Sequence, residues 1–244
     1  MTLYLIGLGL NIKGISLEGI HALRKCKKIF LESYTVRFPY PKRDLEEILR
    51  KKVFSADRSF VESDKLIKLA KSRDIALLIY GSPLAATTHL SLIEDAQQMK
   101  VKVKIIDSSS VFTSCAKTGL QLYKFGKTIS LPKWDENKNY MPDSFVEVIK
   151  ENMKINAHTL ILADIELNFE NAVNQLKEAF KKNKIKINKL KKIIVCSQLG
   201  TKYEKIVYGD VNKLINKRIK TPFCIILAGK LHFKEEETLK RFEV

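Results

Sequence analysis

Runs of apolar residues alternate with amphipathic stretches along most of the chain. The clearest unit begins with five unbroken apolar residues, 75–79, and continues through Gly81-Ser82-Pro83. It ends in a stripe of apolar positions from His89 to Lys100 that recurs at helical spacing. An unbroken apolar run of this length is typical of a strand that is buried on both faces of a parallel sheet. The pattern therefore predicts a strand, a tight loop and a helix.

The loop of this unit consists of small and hydroxyl-bearing residues. Ala85 and Ala86 would let a ligand approach the backbone closely, and either Thr87 or Thr88 is expected to cap the helix. Loops at the carboxyl ends of strands are where open α/β sheets bind ligands. From spacing alone, an ordinary strand-to-helix turn explains the loop equally well.

The same alternation opens the chain and continues toward its end. A strand is predicted at 3–8, a helix after the cap residue Ser16, and a second strand within 28–34 that ends at Glu32. Further strands are expected at 101–106, 126–132, 158–165, 192–197, 205–208 and 223–228. Further helices are expected at 45–49, 63–70, 111–122, 144–152, 168–182 and 211–215. This alternation indicates an α/β fold in both halves.

The stretch from Trp134 to Pro142 is polar and irregular, which makes it the best candidate for a domain linker. We expect a first α/β domain at 1–132, closed by the strand at 126–132, and a second α/β domain at 142–244. The linker is then at about 133–141. The cleft between two such domains is the expected place for a ligand.

Two glycine- or serine-rich loops are candidate ligand sites. Gly7-x-Gly9 matches the start of the dinucleotide fingerprint, but Ile12 replaces its third glycine, and Gly14 is displaced. Glu32 falls roughly where that motif has its ribose-binding acid, so a nucleotide-like ligand stays open. The run at 107–110, Asp-Ser-Ser-Ser, precedes a predicted helix and would bind a carboxylate or phosphate through free N–H groups. Simple capping is the alternative interpretation of this run.

The composition excludes several classes of protein. The chain has 244 residues, 45% of them hydrophobic, and its apolar runs fall far short of the ~20 residues that span a bilayer. The N-terminus lacks a basic region and a cleavage site, so we expect a cytoplasmic protein.

Neither zinc nor a dithiol redox motif is indicated, because no two cysteines form a Cys-x-x-Cys pair. Cys196 and Cys224 lie in apolar runs and are expected to be buried thiols. The four histidines (His21, His89, His158 and His232) have no ligand spacing, so no metal site is predicted.

The chain is strongly basic, with 44 Lys and Arg against 27 Asp and Glu and a formal net charge of +17. Such a charge favours a polyanion or an acidic partner, although heavy lysine use throughout the chain is the simpler explanation. The densest cluster, Lys181 to Lys192, contains no acid and is expected to be a solvated face, with a docking patch as the alternative. It lacks interleaved aromatic residues, which counts against single-stranded nucleic-acid binding, and we expect no nucleic-acid partner.

Five segments in collinear order resemble archaeal diphthine synthases, which are methyltransferases of the tetrapyrrole-methylase-like class. These segments are Leu3-Tyr4-Leu5-Ile6-Gly7-Leu8-Gly9-Leu10, Pro83-Leu84-Ala85-Ala86-Thr87-Thr88-His89, Gly119-Leu120-Gln121-Leu122-Tyr123-Lys124-Phe125-Gly126-Lys127, His158-Thr159-Leu160 and Gly229-Lys230-Leu231-His232-Phe233. The resemblance implies two α/β domains with S-adenosyl-L-methionine in the cleft between them, S-adenosyl-L-homocysteine as product, and a homodimer. It implies methylation of the amino nitrogen of a modified histidine of elongation factor 2, which gives diphthine in diphthamide biosynthesis.

The resemblance also implies eight cofactor contacts, each at a strand end or in the loop that follows it. They are Leu10, Ser82, Ala85, Ser110, Val111, Ala163, Leu199 and Phe223. No catalytic residue is implied. Asp164 is a candidate base because it follows a contact position, and Tyr34 or Phe112 would face the methylated amine through a cation–π contact, with core packing as the alternative.

This chain departs from the family pattern at three positions, where the family has Asp, Pro and Arg. It has Ser82, Ala228 and Gln198 there. Loss of the charge-assisted bond that an acid at position 82 would make with the cofactor's ammonium costs roughly 1–3 kcal/mol, or one to two decades in affinity. Two rival interpretations follow. One is a degenerate, non-enzymatic basic protein that binds RNA or the ribosome through Lys181–Lys192, and the other is a methylase of a small tetrapyrrole.

Overall fold

A parallel five-stranded sheet forms the first of two units, residues 1–114 and 115–244, in the computed structural model. The structure describes residues 1–186 and 190–244. The strands of the first sheet are β1 (Thr2–Gly7), β2 (Lys28–Glu32), β3 (Phe54–Ala56), β4 (Ile75–Ile79) and β5 (Lys102–Ile106). Its helices are α1 (Leu17–Lys25), α2 (Lys42–Leu49), α3 (Arg58–Val61), α4 (Lys65–Ser72), α5 (Leu90–Gln98) and α6 (Val111–Ser114). The strand order is β3-β2-β4-β1-β5.

The central strand β4 is buried on both faces, as its unbroken apolar run predicts. Ile75, Leu77 and Ile79 pack in a core with residues of α3, α4 and α5. Ala76 and Leu78 point the other way and pack with residues of α1 and α2. Successive side chains of a strand alternate between faces, so a sheet with helices on both faces needs apolar residues at every position.

Side-chain caps were predicted at the N-termini of two helices of this unit, α1 and α5. Ser16 caps α1 as predicted, since its hydroxyl accepts a hydrogen bond from the Gly19 N–H. The threonine cap predicted for α5 is wrong: the N-cap is His89, and it makes no side-chain capping bond. The Thr87 hydroxyl instead donates to the carbonyl of Pro83. Strand β3 and helix α3 are short elements that the periodicity did not reveal.

The second unit contains a mixed five-stranded sheet. Its strands are β6 (Ile129–Leu131), β7 (Thr159–Ala163), β8 (Lys192–Ser197), β9 (Lys205–Asp210) and β10 (Phe223–Leu227), in the order β6-β7-β10-β8-β9. Among the strands that the structure describes here, β6 and β7 pair in parallel, and the other three pairings are antiparallel. Its described helices are α7 (Phe145–Lys154), α8 (Phe169–Lys182), α9 (Val211–Leu214) and α10 (Phe233–Leu239). Both units are therefore α/β, as predicted.

The region after β5 differs most from the prediction. The helix expected at 111–122 ends after one turn, because α6 stops at Ser114 and 3-10 turns follow at Cys115–Thr118 and Leu122–Lys124. Gly119 between these turns has φ +85°, and a Cβ there would clash with the side chain of Thr238. A residue confined to this left-handed conformation ends a helix.

The strand at 126–132 was expected to close the first half, but β6 is an edge strand of the second sheet and pairs with β7. The stretch 133–141, predicted as a linker, belongs to the second unit and contains a 3-10 turn at Glu136–Lys138. The domain boundaries given above stay a prediction. Within the described ranges, no helix is both long and apolar enough to cross a membrane.

Candidate functional site

Three loops follow the adjacent strands β4, β1 and β5 at one edge of the first sheet. We call them loop 1 (residues 8–16, after β1), loop 2 (80–89, after β4) and loop 3 (107–110, after β5). The strands are parallel, so their carboxyl ends, and with them the three loops, meet at the same edge.

Hydrogen bonds tie each of these loops to the other two. Gly9 and Gly81 exchange two backbone bonds, each with an N···O distance of 3.0 Å. The Ser108 hydroxyl donates to the Gly14 carbonyl at 2.8 Å, and the Ser82 hydroxyl donates to Oδ1 of Asp107 at 2.9 Å. The three loops therefore form one cross-linked surface, which we call the loop surface.

The glycine pattern of loop 1 reflects this packing. Gly9 has φ +65°, and a Cβ there would lie 2.9 Å from the hydroxyl oxygens of both Ser108 and Ser109. Only glycine allows this close approach. Glu32, the acid considered for a ribose, is completely buried and accepts bonds from the N–H groups of Tyr34 and Thr35 and from the Thr35 hydroxyl. A ribose contact by Glu32 does not fit these bonds, and that interpretation is wrong.

Loop 2 is closed by two side chains that bond the same carbonyl. The Thr87 hydroxyl lies 2.7 Å from the carbonyl oxygen of Pro83, and Nδ1 of His89 lies 3.2 Å from it. A carbonyl only accepts, so Nδ1 of His89 carries the proton. The enclosed residue Ala86 has φ +57°, a conformation that a non-glycine residue holds only when its surroundings impose it. We call this arrangement the Pro83 clamp.

His89 is buried, and one of its ring nitrogens has no partner among the residues that the structure describes. Burial lowers the pKa of His89, against the opposing influence of the Glu32 carboxylate, so the ring is neutral at pH 7. Nε2 makes no hydrogen bond to any residue that the structure describes. Within the described part of the chain, the ring is therefore hydrogen-bonded through Nδ1 and not through Nε2.

The loop surface brings together the five cofactor contacts predicted in the first unit. Leu10 lies in loop 1, Ser82 and Ala85 in loop 2, and Ser110 in loop 3 with Val111 directly after it. The Tyr80 hydroxyl donates to the Leu10 carbonyl at 3.1 Å, which fixes the backbone at that contact. The serine run at 107–110 was expected to bind an anion at the N-terminus of a long helix. Helix α6 has only four residues, so that long helix is not present.

The register of the second sheet places the other three predicted contacts at one edge. Phe223 at the start of β10 pairs with Ser197 at the end of β8, and Leu199 follows two residues later. On the other side of β10, Cys224 pairs with Leu162, which puts Ala163 at the same edge. Because β10 runs antiparallel to both neighbours, its first residue meets their last residues.

A second cluster in this unit gathers three of the family-like segments around one carboxylate. Glu235 is completely buried, and its Oε1 accepts bonds from the Gln121 N–H at 2.9 Å and from Nε2 of His158 at 3.0 Å. Its Oε2 accepts bonds from the His232 N–H and from the ammonium group of Lys124. The Gly229 N–H donates to Nδ1 of His158 at 2.9 Å. We call this cluster the Glu235 network.

The protonation states of the Glu235 network follow from these bonds. Burial raises the pKa of Glu235, but hydrogen bonds from Gln121, Lys124, His232 and His158 outweigh it and lower that pKa to about 2. Burial lowers the pKa of His158, although Glu235 opposes the shift. An ionised Glu235 thus faces a neutral His158 whose proton is on Nε2.

The sequence did not single out Glu235, because helix α10 was not predicted. One signal was present: Glu235 lies three residues after His232, and the two form a capping box in which the Glu235 side chain accepts from the His232 N–H at 2.7 Å. Histidine is not among the usual N-cap residues, so the pattern was not recognised.

The remaining candidates lie on exposed or occupied positions. Asp164 is exposed and accepts a bond from the Glu166 N–H, beside a shallow depression that Lys133, Asp135 and Tyr140 also line. The ring of Tyr34 already has the Arg58 guanidinium 5.2 Å from its centre. Phe112 is half-buried.

Within the residues described, the lysines of the basic cluster at 181–192 are exposed, which both the solvated face and the docking patch require. Lys182 pairs with Asp143 at 3.0 Å and Lys192 with Glu243 at 2.6 Å, and both pairs are at the surface. Lys189 lies outside the described residues. Cys196 and Cys224 are buried thiols without a disulfide, which confirms the interpretation of these two residues.

Comparison with known proteins identifies the family. The model of the tetrapyrrole (corrin/porphyrin) methylases matches residues 2–215. Diphthine synthase of Methanocaldococcus jannaschii is 40% identical over 253 residues, which cover 98% of this chain and 97% of the relative. Diphthine methyl ester synthase of Schizosaccharomyces pombe is 44% identical over 167 residues, 67% of this chain and 58% of the relative.

A solved structure gives the same answer as the sequences. A crystal structure of a diphthine synthase aligns with 100% of this chain and 96% of its own, with a TM-score of 0.89 and 30% identity. The resemblance drawn from five short segments is therefore confirmed over the whole chain, and the chain belongs to the tetrapyrrole (corrin/porphyrin) methylase family, in the group of the diphthine synthases.

Proposed function

We propose that the protein is an S-adenosyl-L-methionine-dependent methyltransferase that methylates the amino nitrogen of a modified histidine on elongation factor 2 and gives diphthine. The observation that carries the proposal is similarity to diphthine synthases across 98% of the chain. The rival interpretation of a non-enzymatic RNA-binding protein has no support from these relatives. A homodimer is part of the proposal.

The residues of the loop surface fit a cofactor with a nucleoside and an amino acid part. A Cβ built on Gly81 would lie 3.9 Å from the Ser109 carbonyl oxygen, so loops 2 and 3 are in ordinary van der Waals contact at this buried glycine. Leu10, Ala85 and Val111 offer apolar contact, and Ser82 and Ser110 offer polar contact. Ala163, Leu199 and Phe223 in the second unit complete the proposed set. That the contacts of both units line one cofactor site in an interdomain cleft stays a prediction.

The cofactor, when bound, supplies a methyl group that its sulfonium already activates for displacement. The protein then has to hold the accepting nitrogen in line with that group and to exclude water. The cross-linked loops suit this task, because a fixed backbone positions a ligand without a further ordering cost. The accepting amine must lose a proton, and exposed Asp164 is our candidate acceptor.

The test is methyl transfer from labelled S-adenosyl-L-methionine to elongation factor 2 that carries the modified, unmethylated histidine. We expect label in that protein and none in a variant whose target histidine is replaced. Mass measurement of the modified peptide counts the methyl groups and separates diphthine from its methyl ester, the two products in the relatives' names.

Two outcomes would contradict the proposal. Label in a porphyrin precursor, with none in elongation factor 2, would make the protein a methylase of a small tetrapyrrole. No transfer to either, together with RNA binding that weakens steeply with salt, would favour the basic binding protein.

A further inference from the structure

The loop surface contains a single acidic side chain. Loops 1, 2 and 3 together include one carboxylate, Asp107, the first residue of loop 3. Lys13 of loop 1 is the one lysine in the same three segments. Any cationic group of a ligand on this surface therefore has one carboxylate within these loops to pair with.

The carboxylate of Asp107 is oriented but not neutralised. Its Oδ1 accepts the hydrogen bond from the Ser82 hydroxyl at 2.9 Å. Among the described residues, no Lys, Arg or His nitrogen forms an ion pair with it, although the chain carries 44 Lys and Arg. Asp107 is also exposed. One oxygen is thus fixed by Ser82, and the charge stays available to a ligand.

We propose that Asp107 binds the ammonium group of the amino acid part of the cofactor, and that Ser82 positions Asp107 for this contact. The inference rests on the proposed function, since it takes S-adenosyl-L-methionine as the ligand. It also explains the departure at position 82. An acid at 82 would lie beside Asp107, and two neighbouring carboxylates repel each other. This chain has a hydroxyl at 82 and presents the carboxylate from 107.

The test compares two ligands that differ in the amino acid part. S-adenosyl-L-homocysteine retains the ammonium group, whereas 5′-methylthioadenosine keeps the nucleoside thioether and lacks the amino acid part. We expect Asp107→Asn to lower the affinity for S-adenosyl-L-homocysteine by about ten- to hundredfold, which is the range for the loss of a charge-assisted hydrogen bond. Binding of 5′-methylthioadenosine is expected to stay within about twofold, which also shows that the variant is folded.

Three further variants make the test specific. Asp95→Asn removes the same charge from an exposed position on α5 and is expected to leave both affinities unchanged. Ser82→Ala removes only the positioning bond and is expected to weaken S-adenosyl-L-homocysteine by about threefold. The double variant Ser82→Asp with Asp107→Asn places the carboxylate at position 82 instead of 107. It is expected to restore most of the affinity for S-adenosyl-L-homocysteine that Asp107→Asn loses.

Calorimetric titration of the full chain separates the outcomes. Equal affinity of Asp107→Asn and the native protein for S-adenosyl-L-homocysteine would overturn the inference and leave the proposed function standing. Equal weakening of both ligands would also overturn it, because Asp107 would then shape the surface without contacting the ammonium group. If the native protein binds neither ligand, the proposed function fails and the inference fails with it.

Discussion

Two buried histidines in family-like segments show how differently the two units use the same residue. His158 in the Glu235 network has both ring nitrogens bonded, one to Glu235 and one to the Gly229 N–H. His89 in the Pro83 clamp bonds through Nδ1, and its Nε2 has no partner in the part of the chain that the structure describes. The two rings are opposite tautomers, because the proton lies on Nε2 in His158 and on Nδ1 in His89.

The difference separates a group that holds the fold from one that shapes a surface. In the Glu235 network both carboxylate oxygens of Glu235 and both ring nitrogens of His158 have partners, and three chain segments meet. Loss of Glu235 therefore leaves several buried groups unpaired at once. In the Pro83 clamp the bonds are made within one loop, and they set the backbone beside proposed contacts Ser82 and Ala85. We therefore expect changes in the network to affect stability and changes in the clamp to affect ligand affinity.

The largest effect is expected from Glu235→Gln. The substitution keeps the shape but removes the charge that faces Lys124 and His158, and it replaces an acceptor by an amide donor. Breaking a buried ion pair by changing one partner costs about 3–5 kcal/mol. The measurement is the free energy of unfolding in urea. Glu236→Gln, at the exposed next position of α10, is the matched control. Equal losses in the two variants would contradict a special role for the network.

The network also predicts a loss of stability in acid. The pKa of Glu235 is lowered from 4.5 to about 2 in the folded state, so its stabilisation is complete above pH 4.5 and is lost as the pH falls toward 2. Burial lowers the pKa of His158 below 6.5, so its contribution is present above pH 6.5 and declines below it. The urea concentration at the midpoint of unfolding should therefore decrease as the pH is lowered. Between pH 4.5 and 3, this decrease should be steeper in the native protein than in Glu235→Gln. Parallel curves would exclude Glu235 as the cause.

The same comparison marks what the sequence predicts and what it does not. The buried run 75–79 predicts β4 with its actual bounds, because covering both faces of a strand demands apolar residues at every position. The Glu235 network joins Gln121, His158 and Glu235, which are far apart in sequence and come together only through tertiary contacts. Family-like segments showed that these regions matter, but their spacing does not reveal the carboxylate on which they converge.

Local signals also failed where tertiary contacts compete with them. Thr87 has the residue type of an N-cap, yet helix α5 begins only at Leu90, and the Thr87 hydroxyl donates to the Pro83 carbonyl within the closed loop. The strand at 126–132 has the right composition, but composition does not say which sheet a strand joins, and β6 pairs with β7. At the candidate site, loop positions were predictable from strand ends, whereas the bond between Ser82 and Asp107 was not.

A smaller effect, on affinity, is expected from the Pro83 clamp. Thr87→Val and His89→Leu each remove one donor and are expected to weaken S-adenosyl-L-homocysteine by about threefold, since the other donor remains. The double variant leaves the carbonyl with neither side-chain donor and should cost about tenfold or more. Thr87→Ser and His89→Asn keep a donor near the native position and should retain affinity. Calorimetry that finds the double variant equal to the native protein would remove the clamp from the proposed site.

The smallest effect is expected from Lys127→Met, and it sharpens the distinction within one segment. Lys127 pairs with Glu151 at 2.6 Å, but the two side chains are 71% and 52% exposed. Surface pairs of this kind contribute about 0–1 kcal/mol, because water screens them and ordering two long side chains costs entropy.

Lys124, three residues earlier, bonds the buried Glu235 and the Lys230 carbonyl, so Lys124→Met leaves a buried charge without its cation. Urea unfolding should show a loss of about 2 kcal/mol or more for Lys124→Met and at most about 1 kcal/mol for Lys127→Met. Equal losses would mean that the segment acts through its charge rather than through the buried bond to Glu235.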